Sequence, residues 1–206
     1  MQNLVQWIDQ KFYGDYHENW DDELFRRTVL DVVQPNWRVL DLGAGAGIVS
    51  QMNIRGHVRT VCGIDPDRRV LINAALDEGK IGIGEEIPFE DDTFDLVFCD
   101  NVLEHLRNPI DVFNEVWRTL RPGGIFLFKT PNRLHYVPVL ARLTPHGAHQ
   151  FVNRLRGRSA ADTFPTHYRA NTPTAIRRLA REAGFTVDEL RLIEGRPEYL
   201  RVTALT

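Results

Sequence analysis

The chain has 206 residues, with 25 Lys and Arg against 28 Asp and Glu and a net charge of −3. That length suits one domain with a full core, and the mild charge gives no electrostatic argument for nucleic acid or a membrane surface as a partner. Cys62 and Cys99 each sit in a run that reads as a core strand, so no disulfide or metal framework is expected and a reducing, cytoplasmic setting is the default.

Taken in chain order, residues 1–36 mix aromatic and acidic side chains and read as a helical cap. Asp21 or Asp22 is placed to cap a helix running to about Val33, with Leu24, Phe25, Val29, Leu30, Val32 and Val33 on its apolar face. Tyr13, Tyr16 and His17 either touch a ligand or simply accompany a covering helix. Arg38 to Leu42 then reads as a buried parallel strand that ends on Asp41 and breaks into Gly43-Ala44-Gly45-Ala46-Gly47. The glycines permit backbone conformations closed to other residues and a close approach to a ligand. A helix is expected over Ile48 to Ile54, followed by a second strand from Val58 to Ile64. That strand runs into Asp65-Pro66, about twenty positions after the glycine turn, where a carboxylate can accept ribose hydroxyls. The competing role for Asp65 is to cap a helix from Asp67 to about Asp77.

Gly79 to Glu86 reads as a short third strand at the sheet edge. Phe94 to Phe98 is a fourth strand ending near Cys99-Asp100-Asn101, with Val102 to Leu106 in the loop beyond. Asn108-Pro109 starts a helix whose Ile110, Phe113, Val116, Trp117 and Leu120 share one face. Arg121-Pro122-Gly123-Gly124 turns it into a fifth strand, Ile125 to Lys129. Residues 132–171 break the rhythm: six arginines face only Asp162, and four of the seven histidines fall there. An excursion of that length over a ligand edge is more often a lid or substrate loop than a spacer. Thr172-Pro173 caps a last helix that Gly184 stops, Phe185 to Ile193 is a sixth strand, and Glu198 to Leu205 a candidate seventh. Alternating strands and helices give an α/β, doubly wound, mostly parallel sheet with helices on both faces. No signal segment and no membrane span is expected.

Six motifs stand in order: Val39-Leu40-Asp41-Leu42-Gly43-Ala44-Gly45-Ala46-Gly47, Gly63-Ile64-Asp65-Pro66, Ile87-Pro88-Phe89, Phe94-Asp95-Leu96-Val97, Leu103-Glu104-His105-Leu106 and Leu120-Arg121-Pro122-Gly123-Gly124. Together they resemble the class I S-adenosylmethionine-dependent methyltransferases, of the small-molecule type that includes the quinone-biosynthesis O-methyltransferases. The resemblance implies a Rossmann-like, seven-stranded sheet and a single domain over 1–206. Within it, 1–36 would be the cap, 37–131 the cofactor-binding core, 132–171 a basic insertion or lid, and 172–206 the last helix and strands. It assigns Asp41, Gly43, Ala44 and Gly45 to the turn around the amino-acid part of S-adenosylmethionine, which leaves as S-adenosylhomocysteine. Asp65 would take the ribose hydroxyls, with Pro66 against the adenine, and Asp100, Asn101 and Val102 would line the methionine portion. Relatives often carry an acidic residue where this chain has Ile83, so adenine contacts fall to Gly84 and Glu85.

The carboxylates agree with such a cofactor, since an ammonium and a sulfonium are well served by Asp41 and Asp100, whereas a pyrophosphate is not. The implied reaction moves a methyl group to an O or N atom of a small-molecule, lipid or sugar-type acceptor. No metal is called for, and no metal-ligand spacing is visible. A hydroxyl acceptor benefits from a base titrating near neutrality, and His105, His135 and His167 are the candidates. The arginines of the insertion fit either an anionic acceptor or a solvated helix face. RNA is not favoured, because the arginines are not interleaved with stacking aromatics. Two other readings stay open. A nicotinamide-dependent oxidoreductase on a similar sheet is one, although the third glycine of that fingerprint would fall at Ile48. The other is a non-catalytic module of the same fold.

Overall fold

The computed structural model describes residues 20–134 and 165–193. The first element is helix α1, Trp20–Val32, with Asp21, Asp22 and Glu23 in its first turn and Phe25 and Val29 buried. Negative charge in a first turn complements the free amides and the positive end of the helix dipole. Five strands follow: β1 Arg38–Leu42, β2 Thr60–Asp65, β3 Glu78–Ile81, β4 Phe94–Asp100 and β5 Leu120–Lys129. Helix α2, Pro109–Thr119, links β4 to β5, and α3, Pro173–Glu182, lies beyond.

The five strands form one parallel sheet in the order β3-β2-β1-β4-β5. The direction of winding reverses between β1 and β4, and in open α/β sheets ligands bind outside the carboxyl ends of the strands at that switch point. Strand parity sorts the core into two layers. Val39, Val61, Leu96 and Phe98 pack with Phe25, Val29 and Ile54 on one face. Leu40, Cys62, Val97 and Cys99 pack with Phe113, Val116 and Leu179 on the other. Both faces are dry, which is why the strands read as continuous apolar runs rather than alternating ones.

Two expected helices are absent. In place of helices over 48–54 and 67–77 stand 3-10 turns, Ser50–Met52 and Arg68–Ile72. Each is followed by an asparagine whose carboxamide oxygen accepts the amide two residues on, Arg55 N to Asn53 at 3.0 Å and Ala75 N to Asn73 at 2.9 Å. Such local side-chain bonds compete with helix propagation and favour a turn. The third strand stops at Ile81, and Ile83 and Glu86 face each other in an isolated antiparallel bridge. The fifth begins at Leu120 rather than Ile125, because Leu120 already pairs with Phe94 before a register shift carries the chain past Gly123, at φ +81°.

The seven-stranded expectation becomes five strands among the described residues. Residues 185–193 form no ladder there: Phe185 and Val187 pack against the core, but Leu192 and Ile193 are exposed. The candidate seventh strand and residues 135–164 of the insertion lie outside the described residues. So do Tyr13, Tyr16 and His17. The described ends of the insertion meet, with Arg133 N donating to Asn171 O at 2.8 Å. Thr172 caps α3 by accepting Ala175 N at 3.2 Å, as its sequence position implies. Asn108 precedes Pro109 but makes no side-chain cap bond.

Candidate cofactor and acceptor site

Three carboxylates occupy the last or next-to-last positions of adjoining strands: Asp41 on β1, Asp65 on β2 and Asp100 on β4. The turn they surround is held from several sides. Gly43 and Ala44 donate their amides to the carbonyl of Ile64 at 2.9 and 3.1 Å, which continues the β1–β2 pairing into the turn. Gly45 N donates to Asp65 Oδ2 at 2.9 Å, and Asp65 Oδ1 accepts Asp67 N at 2.8 Å. Asp65 therefore ties the glycine turn to the start of the next connection while each oxygen keeps a lone pair for a further donor.

Asn73 was not singled out in the sequence, and it pins the same turn. It is buried, and its Nδ2 reaches Ala44 O at 3.0 Å and Gly45 O at 3.3 Å. Gly43 and Gly47 meet the closest approaches. At φ +85° and +69° both are strained for a side chain, and an added Cβ would lie 2.5 Å from Val102 Cγ2 at Gly43 and 2.1 Å from Asn73 Oδ1 at Gly47.

The carboxylates of the cluster repel one another. Burial, then the negative charges of Asp100 and Asp65, push the Asp41 carboxyl up to about 8. Asp100 rises to about 6, because its desolvation outweighs the opposing pull of the Lys129 ammonium. A cation entering between the carboxylates would relieve that repulsion, and a pyrophosphate would add to it. Lys129 closes the group: its Nζ lies 3.0 Å from Asp100 Oδ1, 2.9 Å from Asp21 Oδ2 and 2.5 Å from Asp22 Oδ1. Burial alone would lower the Lys129 ammonium, but these three carboxylates hold it well above the ordinary lysine value.

Strand parity carried the signal for Lys129. It continues the row Ile125–Leu127, just as Asp100 continues Leu96–Phe98, and both rows face α1. Asn101 follows at φ +54° and donates its amide to Lys129 O at 2.9 Å. Strained backbone of this kind persists only where its surroundings hold it.

Beyond β4 a second polar group forms. Leu103–His105 is a 3-10 turn. His105 Nδ1 lies 3.0 Å from the Pro165 carbonyl oxygen, and its Nε2 is 3.9 Å from Glu104 Oε1. Glu104 is buried, which pushes its carboxyl up, and it accepts Thr130 Oγ1 at 3.2 Å. Asn171 Nδ2 donates to that same hydroxyl at 2.6 Å. The Glu104 carbonyl receives the amides of His167 at 2.7 Å and Tyr168 at 3.1 Å. Two of the three histidine candidates, His105 and His167, thus meet at one loop, and His135 lies outside the described residues.

On the opposite flank, Gly84 packs close to Leu42 and Val112, with Ile83 exposed beside it. A cleft of about 630 Å³ runs along the β3–β4 connection, lined by Ile81, Ile83, Pro88 and Arg118 among others, and contains none of the three carboxylates. Arg118 is consumed there by Glu115, Asp91 and the carbonyls of Ile87 and Phe89. Among the described residues no helix is long and apolar enough to cross a membrane.

A family model described as "Methyltransferase domain" matches residues 16–190. The ubiquinone biosynthesis O-methyltransferase of Pseudomonas putida strain W619 is 31% identical over 179 residues, covering 71% of this chain and 75% of that protein. The protein of the same name from Pseudomonas savastanoi pv. phaseolicola is 32% identical over 186 residues, covering 76% and 79%. Among solved structures, a SAM-dependent methyltransferase from Methanosarcina mazei superposes with a TM-score of 0.61 at 19% identity, covering 81% of this chain and 88% of that one. The [4+2]-cyclase SpnF superposes at 0.57 with 18% identity, covering 81% and 58%. At such identities the superpositions establish the fold, and the sequence matches carry the family.

Proposed function

The chain belongs to the S-adenosylmethionine-dependent methyltransferases, and from that premise we propose that Asp41, Asp65 and Asp100 form its cofactor site and that the β4–α2 loop receives a hydroxyl-bearing small molecule. The observation that carries this reading is the convergence of three carboxylates around a glycine turn, with Asp41 held up to about 8 until a cation arrives. The residues fit the cofactor: Asp41 and Asp100 would face its positively charged groups, and the remaining lone pairs of Asp65 would accept its ribose hydroxyls. When bound, S-adenosylmethionine supplies a methyl group on a sulfonium, already a good leaving group.

What the protein contributes is placement and exclusion of water. Gly43, Ala44 and Gly45 bring backbone up to the amino-acid part. Asp100, Asn101 and Val102 line the methionine side, and Pro66, Gly84 and Glu85 the adenine side. Oxygen is favoured as the accepting atom because the relatives are named O-methyltransferases. With Nδ1–H donated to the Pro165 carbonyl, His105 carries its lone pair on Nε2. There it takes the acceptor's proton, with Glu104 Oε1 3.9 Å away. His167 is the second candidate for that role. The basic stretch 132–171, whose described ends meet at Arg133 and Asn171, is the part of the chain proposed to meet an anionic acceptor.

Calorimetric titration tests the reading. S-adenosylmethionine and S-adenosylhomocysteine bind with one site per chain, and NAD gives no binding heat. NAD binding with neither of the other two would overturn it.

A further inference from the structure

Lys129 does more than fill a gap between α1 and the sheet. Its backbone carbonyl holds Asn101 N, its Nζ contacts Asp100, and the same Nζ draws in Asp21 and Asp22 from the first turn of α1. Asp100 and Lys129 are direct register partners at the carboxyl ends of β4 and β5, so the contact is built into the sheet. Asp22 and Asp100 are both largely buried, with side-chain exposures of 17% and 16%. Among the described residues Asp100 Oδ1 accepts no hydrogen bond of good geometry, and the charged group at contact distance is the shared ammonium.

The charge balance decides what this arrangement does. Lys129 alone against Asp100 would leave the end of β4 neutral and poorly suited to a cation. With Asp21 and Asp22 on the same ammonium the group sums to −2, and the lysine's charge is divided among three acceptors.

We propose that Asp21 and Asp22 are specificity-determining residues of the cofactor site, acting through Lys129: by balancing the lysine's charge they keep the end of β4 net negative toward the sulfonium. This rests on the cofactor assignment above. It makes the first turn of α1 part of the site's electrostatics through its contacts with Lys129. The consequence is a preference for the cationic cofactor over its neutral thioether product, since S-adenosylmethionine and S-adenosylhomocysteine differ in that one charge. A loss of packing weakens both ligands alike, whereas loss of this device weakens mainly the sulfonium form.

The experiment is calorimetric titration of both ligands at low ionic strength into wild type and the double variant D21N/D22N. That variant keeps the Lys129–Asp100 pair and leaves no buried carboxylate without a partner. The expected result is an affinity for S-adenosylmethionine about tenfold lower, with that for S-adenosylhomocysteine changed threefold or less. Adding K129M to the double variant removes the competing cation and restores part of the preference. If the double variant does not fold, D21N alone gives a smaller shift in the same direction, since Asp21 is the more exposed of the two. Equal changes for the two ligands, or none, overturn the proposal. A wild-type protein that binds neither ligand overturns the cofactor assignment instead, so the two failures are told apart.

Discussion

At the carboxyl end of β2, Asp65 places one oxygen on the amide of Gly45 and the other on that of Asp67. Its sequence position allowed ribose binding or a capping role, and the geometry satisfies the local role while leaving acceptor capacity for hydroxyls. Replacing Asp65 with Ala is expected to weaken S-adenosylmethionine binding by about 1–3 kcal/mol, the range for a lost charged hydrogen-bond partner. Unchanged affinity in a titration would remove Asp65 from the site. Asp41 makes a different prediction. A carboxyl raised to about 8 in the folded protein binds its proton more tightly there than in the unfolded chain, where aspartate titrates near 3.9. The ligand-free fold therefore loses stability as pH rises from about 4 and has lost all of that contribution above about 8. Thermal unfolding should show D41N gaining on wild type as pH rises from 5.5 to 8.5. A constant difference would mean that Asp41 is ionised throughout. His105→Ala should lower turnover by about 10²–10⁴-fold, the usual contribution of a positioned base, with cofactor affinity kept; an unaltered rate would pass the role to His167.

Strand and helix positions were legible wherever the apolar pattern was long. α1, β1, β2, β4, α2 and α3 came out within a few residues of their expected bounds, because each buries a face that its spacing announces. The connections after β1 and β2 did not. Their composition suits a helix, but Asn53 and Asn73 bond locally, and Asn73 is also drawn into the glycine turn, a contact 28 residues away in sequence that no local pattern reveals. The same limit hid the pairings of Lys129 and Glu104, whose partners lie on other elements. Asp21 and Asp22 were visible as helix-start residues, whereas their pairing with Lys129 more than 100 residues away was not. At α2 the expected apolar face holds at Phe113, which is buried and meets the rings of Phe126, Phe128 and Phe185 at 5.3, 6.0 and 6.3 Å, whereas Trp117 of the same expected face is exposed. Phe113→Ala should cost about 3–5 kcal/mol in denaturant unfolding. A loss below 1 kcal/mol would mean that this cluster does not join α2 to β5 energetically.

Across the whole molecule, parity along the strands does the organising. Apolar rows that hold α1 against the sheet end, at the switch point, on charged residues: Val39 leads to Asp41, Phe98 to Asp100 and Leu127 to Lys129. One face thus supplies both the core and the charges of the proposed site, so in that reading stability and ligand binding share the same carboxylates. The central claim is that these carboxylates wait for a cation with Asp41 protonated. Calorimetric titration of S-adenosylmethionine at pH 6.5, in buffers of different ionisation enthalpy, measures it directly. At that pH the cofactor's own amino group is already protonated. Release of up to one proton per cofactor bound is expected for wild type, and markedly less for D41N. Heats independent of the buffer, or equal proton release from the two proteins, would contradict it.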